Sequence, residues 1–145
     1  MITEQYVSFE TAKMLKEAWF EEMVNSCFMY DDKADEYEYE FVNGYAIVKK
    51  ALRDNYNGYE NTISRPTQAL AARWLREAHG IHVVITEEAY TNGINYLWQV
   101  LIYNPLSVDC WDNKSTGMYG DNGEYKTYEG ALEAGLREAV KLIKK

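Results

Sequence analysis

The segment Ile63 to Ile85, ISRPTQALAARWLREAHGIHVVI, constrains the fold more than any other part of the chain, because it spells a helix start, face and stop and then a strand. Pro66 suits a first helical turn, where its missing N–H costs nothing and its fixed φ is already helical. The cap then falls on Ser64 or Arg65, and the Ser64 hydroxyl is the better acceptor for an orphan N–H. Leu70, Ala71, Trp74, Leu75 and Ala78 form one stripe at helical period, with Gln68, Arg73, Arg76 and Glu77 off it. Gly80 supplies the left-handed residue that ends the helix, with Ile81 as its apolar partner. Ile81 to Ile85 continues as a β-branched strand. Neighbouring local signals agree, the mark of a foldable sequence.

Elsewhere the same reasoning gives a coarse map. Ser8 reads as the N-cap of a first helix, with Glu10 set favourably against the dipole. Ala12, Leu15, Trp19 and Met23 make its inner stripe. Cys27 to Tyr30 and Tyr37 to Val42 read as strands joined by an acidic loop, the second alternating Tyr37, Tyr39 and Phe41 with Glu38 and Glu40. Residues 45–56 admit two readings. Asn43-Gly44 is a hairpin signal that would make Tyr45 to Lys49 a returning strand. Lys49, Lys50, Arg53 and Asp54 nevertheless share a helical face opposite Tyr45, Val48, Leu52 and Tyr56, which favours a short helix capped by Asn43. Asn55 to Asn61 is a loop.

Thr91-Asn92-Gly93 separates Val83 to Tyr90 from Ile94 to Tyr103, a β-hairpin pattern. Ser107 to Trp111 reads as a short strand and 112–123 as a polar, Gly-rich loop. Thr127 caps a last helix whose stripe is Leu132, Gly135, Leu136, Ala139, Val140 and Ile143. Gly135 on that face permits close approach to a neighbour, at about 1 kcal/mol in helix propensity. The expected fold is a single α+β domain over 1–145, with a mainly antiparallel sheet of about four to five strands. Three helices pack on it, or four if 45–56 is helical.

A chain of 145 residues buries about 68–70% of its unfolded surface, so it needs neither disulfide nor metal to fold. Cys27 and Cys110 have no CxxC spacing and no signal-peptide pattern precedes them, which implies reduced thiols and a cytoplasmic protein. No apolar run approaches the roughly 18 residues of a membrane span. The net charge of −8 argues against direct nucleic-acid binding, which needs a basic stripe. Acid is concentrated in Asp31 to Glu40, with Asp31, Asp32, Glu36 and Glu38 as candidate contacts. Such a run is a solvated loop, or an acidic surface that docks on a basic partner or mimics nucleic acid. Thirteen tyrosines and four tryptophans suit an interface, and suit strands equally.

No catalytic constellation stands out. His79 and His82 straddle the helix stop at Gly80, so their rings need not converge on a metal, and no HExxH or cysteine quartet accompanies them. The helix dipole favours His79 at a C-terminus. Cys27 sits in a strand, and nothing beside Cys110 lowers its pKa. Gly117, Gly120 and Gly123 superficially suggest a phosphate loop but lack the Lys-Ser/Thr that follows one, and they read better as a mobile turn. Neighbouring acids such as Glu87-Glu88 are the pattern of a solvated surface. No catalytic residue, metal or cofactor is therefore expected. Trp111, with Met118 and Tyr119, could form an exposed aromatic patch of the kind that anchors binding, or fold over a sheet edge.

Three blocks, VSFETAKMLKEAWF, ISRPTQALAARWLREAHGIHVVI and TYEGALEAGLREAVKLI, together resemble a family of small proteins encoded by bacterial prophages, phages and related mobile elements. The blocks cover about two-fifths of the chain. The resemblance implies genomic context and a shared scaffold, and carries no activity, cofactor or catalytic residue. The chain departs from that pattern at Gly130, where the family has an acid, and by a longer segment between Tyr37 and Asn61. The expectation is a non-enzymatic accessory protein that binds a protein partner, with a homodimer as one form. The alternative is a small-molecule or nucleotide-processing protein with a cleft near His82, Cys110 and the Gly-rich loop.

Overall fold

The computed structural model describes residues 2–30, 40–103, 115–120 and 125–143, with the backbone alone for 103 and 115–120. The chain divides into two compact units, Met1–Thr67 and Gln68–Lys145.

The first unit opens with α1 (Phe9–Glu17). Ser8 caps it as expected: its backbone is extended and its hydroxyl accepts from the Thr11 N–H. Four short strands follow: β1 (Cys27–Tyr30), β2 (Phe41–Val42), β3 (Tyr45–Val48) and β4 (Thr62–Ser64), with a 3₁₀ turn at Tyr56–Gly58. They form one antiparallel sheet in the order β2-β3-β1-β4. Ala12, Leu15, Phe20, Phe28, Ala46 and Ile63 are its buried core. Phe9 places its ring edge-on to Phe28, with centroids 5.2 Å apart, and 5.1 Å from Tyr45. Arg65 lies over the Tyr6 ring at 4.2 Å and donates to the Ser26 hydroxyl at 3.1 Å.

Two expectations change here. Residues 45–48 are a strand, not the start of a helix. Asn43 and Gly44 both have positive φ, 49° and 82°, the turn whose twist matches a hairpin, whereas a helix cap needs an extended residue. Of the expected strand Tyr37 to Val42, the end is described as β2, and 31–39 lie outside the described residues. Ser64 does not cap the next helix. It is the end of β4, paired with Cys27, because Ile63 is committed to the core opposite Phe28.

The second unit contains α2 (Gln68–His79), β5 (Ile81–Tyr90), β6 (Gly93–Tyr103), β7 (Ser115–Gly120) and α3 (Tyr128–Lys141). Its strands form an antiparallel sheet in the order β5-β6-β7. The expected hairpin is present, in register from Ile81 opposite Ile102 to Tyr90 opposite Gly93. Gly80 ends α2 with φ 65°, as the cassette required. Segment 115–120 is a strand paired with β6 rather than loop. Its glycines hid the signal, and the edge of β6 supplies the hydrogen-bonding partner that sequence cannot show. The expected strand Ser107 to Trp111 lies outside the described residues.

On α2, Ala71, Trp74 and Leu75 face inward as expected, while Ala78 is exposed in the last turn. Gln68 is buried instead of turned out. It falls two turns before Leu75 on the same face, and its amide is satisfied by the Glu129 carbonyl at 3.0 Å and the Glu133 carboxylate at 2.9 Å. The α+β fold stands, with three α-helices and antiparallel strands divided between two sheets among the described residues.

Thr127 caps α3 by accepting from the Gly130 N–H, and Leu132, Gly135, Leu136, Ala139 and Val140 are buried. The expected close approach is real. A Cβ built on Gly135 would lie 2.7 Å from Val83 Cγ1 and 3.0 Å from Trp98 Cβ. Gly135→Ala should therefore destabilise the protein by about 1–3 kcal/mol through overpacking, outweighing the gain in helix propensity. A lowered urea midpoint at unchanged slope is the expected result, and an equal or raised midpoint would contradict it.

Candidate binding site at the end of the first helix

The helix α1 cannot absorb both members of the pair Trp19-Phe20, and the chain resolves the conflict by ending it. Ala18 is the C-cap and Trp19 turns left-handed at φ 65°. Its N–H donates to the Lys16 carbonyl at 3.1 Å, and the Phe20 N–H reaches back to Leu15 O at 2.9 Å. This closure covers the last helical carbonyls and pairs two apolar residues, Leu15 and Phe20, both fully buried. Glycine is the usual occupant of the left-handed position, since a side chain there costs about 1–2 kcal/mol. Here it is a tryptophan, and 75% of its surface is exposed.

Trp19 is thus no part of an inner stripe, and Met23 is exposed as well. Their places in the core are taken by Phe20 and Val24. The stripe failed because helical period was extended past the residue where the helix stops. The one signal for the true arrangement is the five-residue spacing of Leu15 and Phe20, which is the spacing of apolar contacts across such a closure.

Residues 52–62 are held against this helix end by polar bonds. Asn57 donates its side-chain amide to the Phe20 carbonyl at 2.8 Å and accepts from the Ser64 N–H at 2.8 Å. Lys16 Nζ donates to the carbonyls of Tyr59 at 3.0 Å and Thr62 at 2.7 Å. Val24 and Asp54 exchange backbone hydrogen bonds, each 2.9 Å. The Tyr56 hydroxyl donates to the Leu52 carbonyl, and that of Tyr59 to the Asp54 carboxylate at 2.7 Å. The Asp54 carboxylate that accepts this proton holds the Tyr59 phenol above its ordinary pKa. Trp19, Met23, Leu52 and Tyr59, all exposed, sit on the two segments joined by these bonds.

A cavity of about 650 Å³ opens beside Trp19, lined by Phe20, Tyr45 and Ile63 on its apolar part, with Asn57, Gly58, Lys13, Lys16, Glu17 and Glu21 around it. The arrangement can hold an apolar or aromatic group against Trp19.

Met118 and Tyr119 belong to β7. Trp111, Asp31, Asp32, Glu36, Glu38 and Cys110 lie outside the described residues. Cys27 is buried in β1, and burial pushes its thiol pKa up, the opposite of what a nucleophile requires. His79 sets its ring edge-on to Trp74, centroids 4.6 Å apart. Burial lowers its pKa. His82, in β5, is lowered by burial and then by Arg76. Among the described residues no three His, Cys, Asp or Glu side chains converge as a metal site. Nor is any described helix long and apolar enough to cross a membrane.

Comparison with protein-family models, with curated proteins and with solved structures gives no match.

Relief of the left-handed strain should show in solution. Trp19→Gly is expected to stabilise the protein by about 1 kcal/mol, read as a raised urea midpoint, because the exposed ring contributes little burial. A loss of stability would mean that the ring supports the fold. The histidines set a pH dependence. Both have folded pKa values below the ordinary 6.5, so the unfolded chain binds protons first. Their contribution is complete above that value and is lost as pH falls from about 6.5 through the folded pKa values. Unfolding midpoints measured from pH 7.5 to 5.5 should decline, and His79→Gln should flatten the slope. A midpoint constant or rising over that window would refute the assignment.

Proposed function

We propose that this chain is a non-enzymatic binding protein that contacts another polypeptide through the surface around Trp19, an accessory role in keeping with its resemblance to proteins of phages and mobile elements. One observation carries the reading. A tryptophan occupies a strained position where it buries little of itself, so the fold gains little from its ring. Exposed tryptophan anchors with apolar neighbours dominate binding energy at interfaces. Met23, Leu52 and Tyr59 are also exposed, on the two segments braced together by side-chain amide and ammonium bonds. A braced surface costs less ordering entropy on association.

The size of the cavity supports a second reading. A volume of about 650 Å³ falls within the range of small-ligand sites. The cleft expected near His82, Cys110 and the Gly-rich segment has less support, because Gly117 and Gly120 are strand residues of β7.

Affinity capture from host lysate, run in parallel with wild-type protein and Trp19→Gly, tests the first reading. The glycine variant should keep the fold, by circular dichroism, and lose a co-purifying protein that the wild type retains. Light scattering distinguishes a second copy of the chain from a foreign partner. Identical captures by the two proteins, or none by either together with a monomeric mass, would overturn the proposal.

A further inference from the structure

The β5–β6 hairpin leaves one strand edge open. Tyr90 and Gly93 pair across a two-residue loop, where only a mutually hydrogen-bonded pair fits. Bonded and non-bonded pairs alternate from there, so Ala89, Glu87 and Ile85 turn their N–H and C=O groups away from β6. Tyr96, opposite Glu87, is in the same phase: its N–H leaves the hairpin for the Tyr125 carbonyl at 2.8 Å. Among the described residues β5 is the outer strand of its sheet, and nothing bonds to those three outward-facing backbones. Thr86 to Tyr90 are all exposed. Proline and bulges, which blunt an edge, are absent from the ten residues of β5.

We infer that this edge takes up an extended segment of a partner polypeptide as an added strand, and that the segment carries two adjacent basic residues. Main-chain bonds to Ile85, Glu87 and Ala89 supply the pairing, and cross-strand charge supplies the choice of partner. Glu87 and Glu88 are consecutive, so they project from opposite faces of the sheet, and a strand laid alongside sets one basic residue against each. Neither carboxylate has an ion-pair partner among the described residues. The Tyr90 hydroxyl donates to Glu88 at 2.5 Å and leaves its charge in place. Lys126 lies near, but its ammonium donates at 2.8 Å to the side chain of Asn95, the residue opposite Glu88. Glu129 answers the positive start of α3, whose Tyr128 ring meets Tyr96. A second copy of the chain fits this edge poorly. Antiparallel self-pairing over Thr86 to Tyr90 sets Glu88 opposite Glu88, and like charges so placed are destabilising. The edge is separate from the Trp19 surface, so failure of either reading leaves the other standing.

Nuclear magnetic resonance on the full chain tests the inference. The probes are acetyl-Thr-Val-Lys-Lys-Val-Thr-amide, its counterpart with glutamates for the lysines, and its counterpart with prolines for the valines, each added separately. The lysine peptide should move the amide signals of Ile85, Glu87 and Ala89 saturably, and more than those of Thr86 and Glu88, which already bond to β6. Its affinity should fall about fivefold in the exposed double variant Glu87→Gln with Glu88→Gln, and should fall with added salt. The glutamate peptide should be repelled, and the proline peptide lacks the N–H groups that pairing needs. No response to the lysine peptide, an equal response to either counterpart, or undiminished affinity in the double variant would overturn the inference. Broadening of the same three amides with protein concentration alone would overturn it too, by assigning the edge to a second copy.

Discussion

Much of the first unit hangs on the hydrogen bond from the Phe20 N–H to the Leu15 carbonyl. It turns the chain back at the end of α1 and drops Phe20 beside Leu15, both sealed from solvent. Once Phe20 is fixed, its carbonyl faces Asn57, and the Asn57 amide in turn fixes the end of β4 through Ser64. Trp19 is the residue on which the turn falls. Its exposure follows from the backbone geometry, since a left-handed residue between a helix and a buried successor points away from both.

Polar bonds that use specific donors and acceptors organise this region, and ion pairs do little. Lys49 with Glu40, Arg73 with Glu77 and Lys141 with Glu138 are all solvent-exposed pairs, the kind that water and salt screen to little net effect. Lys49 does hold the Glu40 carboxyl below its ordinary pKa. By contrast Asn57 satisfies backbone groups of two different segments, and leaving them unmet would cost about 1–3 kcal/mol each.

Where periodicity and capping agree, the sequence was readable. Ser8, Thr127, Gly80, the β5–β6 hairpin and the stripe of α3 from Leu132 to Val140 stand where local chemistry puts them, while Ile143 falls beyond the helix end and is half-buried. The failures share a cause, which is that the deciding partner is distant. Gln68 looked like a surface residue until Glu133 supplied its acceptor 65 positions away. Residues 115–120 needed the edge of β6, and 45–48 needed β1 as well as the Asn43-Gly44 turn. Of the candidate site, Trp19 was visible only as a member of the inner stripe of the first helix, and Phe20 not at all. Which of the two would be buried depended on where α1 stopped, and helical period alone does not mark its own end.

Gly135 has one more consequence. Its neighbours along the face of α3, one turn away on either side, are Ala131 and Ala139, both fully buried. Sliding the helix by a turn would set an alanine methyl where Val83 and Trp98 leave no room for one. The missing side chain therefore works as a notch. It keys α3 to a single axial position on the sheet, and would exclude register-shifted packings that an unbroken alanine face would tolerate.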